Sequence, residues 1–320
     1  MLSSRSGLAG RLVAAARSRP ALVVLLLACA AATVRYETFL TPENFTNVLR
    51  QNSVAGLLAL GMAFAMLSGG LDLSVGALLA VGAVTAAALS GHGAPVAVAG
   101  AVGAAAALGL VNGVVIAKAR VQPFVATLVT GMAARGVLLA WTAQESVRVA
   151  KGAVDLKWLG RGWVGPAPAP AVVLVVAFAV AGVVLTRTRF GRHVYAVGDN
   201  DEAARLLGLN TDRVRVGVYV ISGGLAGLAG AVMAARVGVG QPTAGLGWEL
   251  GAIAAFVLGA TSLAGRPAGA GSTLVGVLLL AVVFNVFNLE GSISSSWQWV
   301  LRGGILVAVV ALQNRLGRAA

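Results

Sequence analysis

Residues 94–117, 216–235 and 267–289 each run for 20 residues or more without a charged side chain. Nothing else in the chain constrains its fold as much. A helix needs about 20 apolar residues to cross the hydrocarbon core of a bilayer. Inside that core every backbone N–H and C=O must be bonded within the protein, and a helix satisfies its own. The remainder of the chain agrees: 58% of residues are hydrophobic and 11% charged, with a mean hydropathy of +0.88. A soluble domain carries about 25% charged residues. Glycine occupies 43 of 320 positions, and small residues let membrane helices approach closely. The expectation is an all-α, polytopic membrane protein.

Apolar segments predict spans at 21–34, 53–69, 74–90, 94–117, 121–141, 171–185, 216–235, 248–263, 272–289 and 297–312. The first follows Arg5, Arg11, Arg17 and Arg19 and has the look of a secretory signal, with ACAAA at 28–32 as a cleavage region. The reading kept is a retained first span. Residues 38–52 read as an outer polar segment with a surface helix starting near Thr41 and Pro42. Residues 143–170 form the longest outer segment. Lysine and arginine concentrate on one side of this ladder, and all six tryptophans (141, 158, 163, 248, 297 and 299) fall on the other. The positive-inside rule and the aromatic belt then place both termini in the cytoplasm, with about ten transmembrane helices. The domain organisation expected is a basic cytoplasmic segment over 1–20 and a single transmembrane domain over 21–320, with a cytoplasmic loop at 186–215.

The net charge of +13 sits in short loops between spans, so topology explains it without a nucleic-acid partner. Cys29 is the single cysteine, which excludes an intrachain disulfide. No metal-ligand cluster is apparent, and His92 and His193 stand far apart. No Gly-Lys-Ser or Gly-Lys-Thr occurs, so the chain has no phosphate-binding P-loop of its own. No nucleophile–base set is arguable, and an enzyme is not expected.

The loop TRTRFGRHVYAVGDNDEAARLLGLNTDRVR, 186–215, carries six arginines and a short helix signal. Asp199 or Asn200 can cap it, with Asp199 and Glu202 at capping-box spacing. Asp201 and Glu202 suit its positive dipole end. Ala203, Leu206 and Leu207 then share one face, and Gly208 stops it. A helix of about two turns is unstable alone, so its exposed apolar face calls for a partner.

Ionisable groups in or near spans are few: Asp72, Arg135, Glu249, Glu290 and Arg302. Such groups usually face a cavity or a partner. Asp72 lies in the glycine-rich interruption GGLDLSVG, where its carboxylate suits the N-terminus of the following half-helix, either as a structural cap or as a functional group. Asn112, Gln122, Asn285 and Asn288 are polar groups in apolar surroundings, read equally as path-lining or as interhelical hydrogen bonds.

Four stretches carry a resemblance: NFTNVLRQNSVAGLLALGMAFAMLSGGLDLSVGALLA (44–80), VQPFVATL (121–128), FGRHVYAVGDNDEAARLLGLN (190–210) and VLGATSLAGRPAGAGSTLVGVLLL (257–280). Together they resemble the permease subunits of bacterial ABC importers for monosaccharides, over essentially the whole chain from about residue 20. The outer segment 143–170 lacks the Gly-Pro-rich pattern expected there, so no particular sugar carries over. The resemblance implies a multi-pass subunit of the bacterial inner membrane, paired with a second permease subunit. It implies ATP-binding subunits inside, which use ATP and Mg while this chain binds no cofactor, and a sugar-binding protein outside. Asp199, Asn200, Glu202, Ala203, Ala204, Leu206, Leu207 and Gly208 then match the coupling helix that docks on the ATPase. Asp72, Ser74, Asn112, Gln122, Phe124, Asn285 and Asn288 are the candidates for the translocation path. A secondary carrier working without ATP and a branched-chain amino acid permease are the alternative readings.

Overall fold

The computed structural model describes residues 20–260 and 268–291, with positions 297, 300, 303 and 304. The described helices are α1 (Pro20–Arg35), α2 (Pro42–Leu67), α3 (Val75–Ala88), α4 (Ala94–Lys118), α5 (Pro123–Trp141), α6 (Val154–Arg161), α7 (Ala169–Arg187), α8 (Arg189–Asp199), α9 (Asp201–Leu206), α10 (Thr211–Val237), α11 (Trp248–Ala260) and α12 (Ala270–Glu290). Six of them, α2, α4, α5, α7, α10 and α12, are long and apolar enough to cross a membrane, and α1, α3 and α11 are shorter apolar helices. Each of the first nine expected segments therefore falls on a helix, the last three residues of 248–263 lying outside the described residues. The tenth, 297–312, lies almost entirely outside the described residues, as do Arg302, the turn at 265–267 and the basic segment before Pro20.

Local chemistry sets the boundaries. Pro123 opens α5, where its missing N–H is no loss. Asn210 caps α10 by accepting from the Arg213 amide at 3.0 Å, and Gly238, at φ 90°, ends it. The surface helix expected over 38–52 and the span expected over 53–69 are one continuous helix, α2. At its polar midpoint the Ser53 hydroxyl is satisfied within the helix, donating back to the Leu49 carbonyl at 2.6 Å.

Two pairs of two-residue antiparallel strands interrupt the all-helical pattern. Val147–Arg148 (β1) pairs with Val239–Gly240 (β4), and Trp163–Val164 (β2) with Ala167–Pro168 (β3). The first pair joins 143–170 to the segment after α10, two stretches the sequence assigns to the same side. Asp155, exposed on α6, accepts from the Ala94 amide at 2.5 Å and from the Leu156 amide at 2.8 Å. Those two amides, Ala94 first, hold its carboxyl below the usual carboxylate range.

The residues group into two compact units, one of residues up to 48 with those from 254 on, the other of residues 49–253. In the first, α1 packs on α12. Asn44 and Asn285 exchange amide hydrogen bonds of 3.0 and 2.6 Å, and Glu290 accepts from the Tyr36 hydroxyl beside Arg35. In the second, α10 is the central rod, packed on α4 and α3. The seams are glycine and alanine. A side chain on Gly223 would lie 2.5 Å from the Ala105 carbonyl oxygen, and one on Gly230 would collide with the Leu79 carbonyl. Ala83, Ala86, Ala97, Ala101, Ala231 and Ala234 fill the core at the α6 end, with Leu156 among them. With backbones this close, dispersion between main chains adds to the packing of fully buried side chains such as Leu57, Phe64, Leu79 and Tyr219.

Candidate functional site: a buried polar break and an exposed short helix

Helix α2 stops in a Schellman motif. Gly69 adopts φ +80°, its amide bonds the Met66 carbonyl at 3.1 Å, and the Gly70 amide bonds the Ala65 carbonyl at 2.9 Å. Helix α3 begins at Val75. The linker between them carries Asp72, which is completely buried. Its Oδ1 accepts from the Ser74 amide at 3.0 Å and the Ser74 hydroxyl at 2.5 Å, and its Oδ2 from the Ser222 hydroxyl at 2.6 Å. Asn112 Nδ2 donates to Ser74 Oγ at 2.9 Å. Tyr219 OH donates to the Leu71 carbonyl at 3.3 Å, and the Leu73 amide donates to Thr127 Oγ1 at 3.1 Å. Only glycine at position 70 leaves the Tyr219 hydroxyl room. Asp72 thus bonds the amide two residues on, where a helix cap would bond one two or three residues into the helix. Ser74, not Asp72, occupies the cap position of α3.

Asp72, Ser74 and Asn112, singled out from sequence, meet in this one network. Gln122 and Phe124 lie exposed at the start of α5, one turn before Thr127. Asn285 pairs with Asn44 in the other unit, and Asn288 is exposed on α12. Tyr219, Ser222 and Thr127 were missed. A signal for the first two exists, since they are the only polar side chains in the run 216–235 and stand three apart, on one helical face. Arg135, inside α5, donates to the Pro242 carbonyl at 2.7 Å and the Ala244 carbonyl at 3.0 Å, and so clamps the loop before α11.

At the far end of α10 lies the polar loop. Thr188 caps α8 by accepting from the Gly191 amide at 3.1 Å, and Asn200 caps α9 by accepting from the Ala203 amide at 2.9 Å. Of the two cap candidates, Asn200 takes the role, while Asp199 closes α8. Helix α8 was not foreseen, although Gly191, Val194 and Val197 bury one face at a spacing of three. Helix α9 is only six residues long, and Gly208 follows it at φ +81°. Leu206 and Leu207 are 84% and 81% exposed, and Ala203 is exposed beside them. Ala204 is buried at 2%, so it packs inward and presents no surface to a partner. Ion pairs fix α9 in place: Asp201 with Arg205 at 3.2 Å and Arg215 at 3.1 Å, and Asp212 with Arg205 at 3.1 Å and Lys118 at 3.0 Å.

Six helices of membrane-crossing length among the described residues, an apolar composition and a broken helix around a buried polar cluster define a multi-pass membrane protein. Residues 44–310 match the family model for the permease component of branched-chain amino acid transport systems, and the chain belongs to that family. It is 40% identical to the ribose import permease protein of Escherichia coli K12 over 298 residues, 92% of each chain. It is likewise 40% identical to that of Bacillus subtilis 168 over 87% of each chain. The L-arabinose ABC transporter permease protein of Azospirillum brasilense is 35% identical over 90% of this chain and 85% of its own. These relatives agree with the resemblance to monosaccharide permeases. No solved structure matches the chain.

Proposed function

We propose that the chain is the permease subunit of an ATP-driven importer for a monosaccharide. A separate ATP-binding subunit, using ATP and Mg, docks on the cytoplasmic loop 186–215, a binding protein delivers sugar outside, and a second permease subunit completes the pore. Leu206 and Leu207 carry this reading. A soluble surface does not hold two adjacent leucines out from a capped, ion-paired helix without a partner. The chain has no P-loop, so in this reading ATP is bound and hydrolysed by the partner. The names of its relatives favour a sugar. The family description favours a second reading, a branched-chain amino acid, for the same machine.

The test is uptake by proteoliposomes holding the permease, its ATP-binding subunit and its binding protein. Labelled ribose, arabinose, allose and leucine are offered with and without ATP. ATP-dependent sugar uptake is expected. Leucine uptake alone would favour the amino acid reading, and uptake without the ATP-binding subunit would overturn the ATP-driven one.

A further inference from the structure

Two contacts connect the polar loop to the break at Asp72. The first is steric. Gly198, in the last turn of α8, abuts the end of α2, where any side chain on it would collide with the Leu67 carbonyl oxygen. Its Cα faces Gly69 closely enough that a side chain there would stand 3.7 Å away. Leu67 is five residues before Asp72. The second contact is electrostatic and runs along α10. Asp201 of α9 pairs with Arg215 at 3.1 Å. Arg215, Tyr219 and Ser222 fall at i, i+4 and i+7, one face of the helix. The latter two hold Leu71 and Asp72 through their hydroxyls. Helix α10 packs on α4 main chain to main chain: a side chain on Gly113 would lie 2.7 Å from the Val216 Cα and one on Gly223 2.5 Å from the Ala105 carbonyl.

The segment Gly69–Ser74 is therefore gripped from both sides by the body that carries α9. We propose that Gly198 and Arg215 are positioning residues for transport: they carry a displacement of α9 to the Asp72 break, Gly198 by backbone contact with Leu67 and Arg215 through α10. This rests on Leu206 and Leu207 being the contacts to the ATP-binding subunit. A packed interface with no side chain between main chains transmits displacement without first compressing, and α10 is tied to α9 by the Asp201–Arg215 ion pair and to the break by the hydroxyls of Tyr219 and Ser222.

The experiment uses the reconstituted transporter, the wild-type substrate among ribose, arabinose and allose, and the variants Gly198→Ala, Arg215→Gln, Tyr219→Phe and Gly182→Ala. Gly182 faces open space and serves as the control. Three quantities are read: ATP-binding subunit recovered on tagged permease, ATP hydrolysed, and sugar moved per ATP. All variants are expected to recover the subunit as wild type does, because the Leu206 and Leu207 face is untouched. Sugar per ATP falls about tenfold in Gly198→Ala and about threefold in Arg215→Gln and Tyr219→Phe, and stays unchanged in Gly182→Ala. Wild-type sugar per ATP in both Arg215→Gln and Tyr219→Phe overturns the proposal, whether or not Gly198→Ala folds. So does loss of the subunit from Arg215→Gln, which would make Arg215 a support for docking alone. Full recovery of the subunit on Leu207→Asp is a separate outcome and sinks the docking reading instead.

Discussion

Leu207 stands 81% exposed at the end of a helix whose residues make three ion pairs and which carries a side-chain cap. Burying it against a partner would contribute about 1.5–3 kcal/mol. In Leu207→Asp that gain is replaced by a buried, unpaired carboxylate. Recovery of the ATP-binding subunit from detergent should fall by about a hundredfold, while insertion of the permease is unchanged. Undiminished pull-down and uptake would remove α9 from the interface. Asp72 poses a different question at the same scale. In Asp72→Asn the amide oxygen still accepts from Ser74, and the Ser222 hydroxyl can turn to accept from the amide nitrogen. The variant should accumulate and keep most of its uptake. In Asp72→Ala the buried Ser74 amide and two hydroxyls lose their acceptor, at about 1–3 kcal/mol for each group left unsatisfied. Its membrane yield should drop. Normal yield with no uptake in Asp72→Asn would show that the charge itself is required.

The elements are held by their lack of side chains. Gly230, in the last third of α10, faces the Leu79 carbonyl and stands where a β-carbon would be 2.5 Å from the Ala83 amide nitrogen. Gly230→Ala inserts a methyl group between two backbones and should destabilise the α3–α10 seam by about 1–3 kcal/mol. Gly182→Ala, on α7 with nothing near it, should be neutral or slightly stabilising, since alanine is the better helix former. Thermal unfolding in detergent separates the two. Equal melting temperatures would mean that the seam is loose enough to absorb the methyl group. Burial explains why α2 is one helix: its interior is buried from Ser53 to Ala65, with Gly61 close against the Ser222 backbone of α10, which outweighs the polar pair Asn52 and Ser53 at its midpoint.

At the scale of the whole molecule, the distribution of basic residues and tryptophans predicts an orientation in the membrane, with both termini inside. Cysteine labelling from outside is the test, in a background with Cys29 replaced. Ala153 and Ala204 are both buried, so the probes belong at Gly152 and Ala203, which are exposed. Gly152→Cys should label from outside and Ala203→Cys only after permeabilisation, and the reverse pattern would invert the topology. Helix α8 was not legible in the sequence, while the membrane class, the long apolar helices, Asn200 as one of two cap candidates and the outward face of Ala203, Leu206 and Leu207 were. Each depends on apolar run length, on 3.6-residue periodicity or on a cap within three residues, and such signals are local. The inward turn of Ala204, the clamp from Arg135 and the meeting of Asp72 with Ser222, 150 residues away, were not. A polar residue in an apolar run announces that it has a partner, since an unpaired one is too costly to bury. Which partner it meets depends on how closely the helices approach, and here glycine-to-backbone contacts set that distance only once the bundle has assembled.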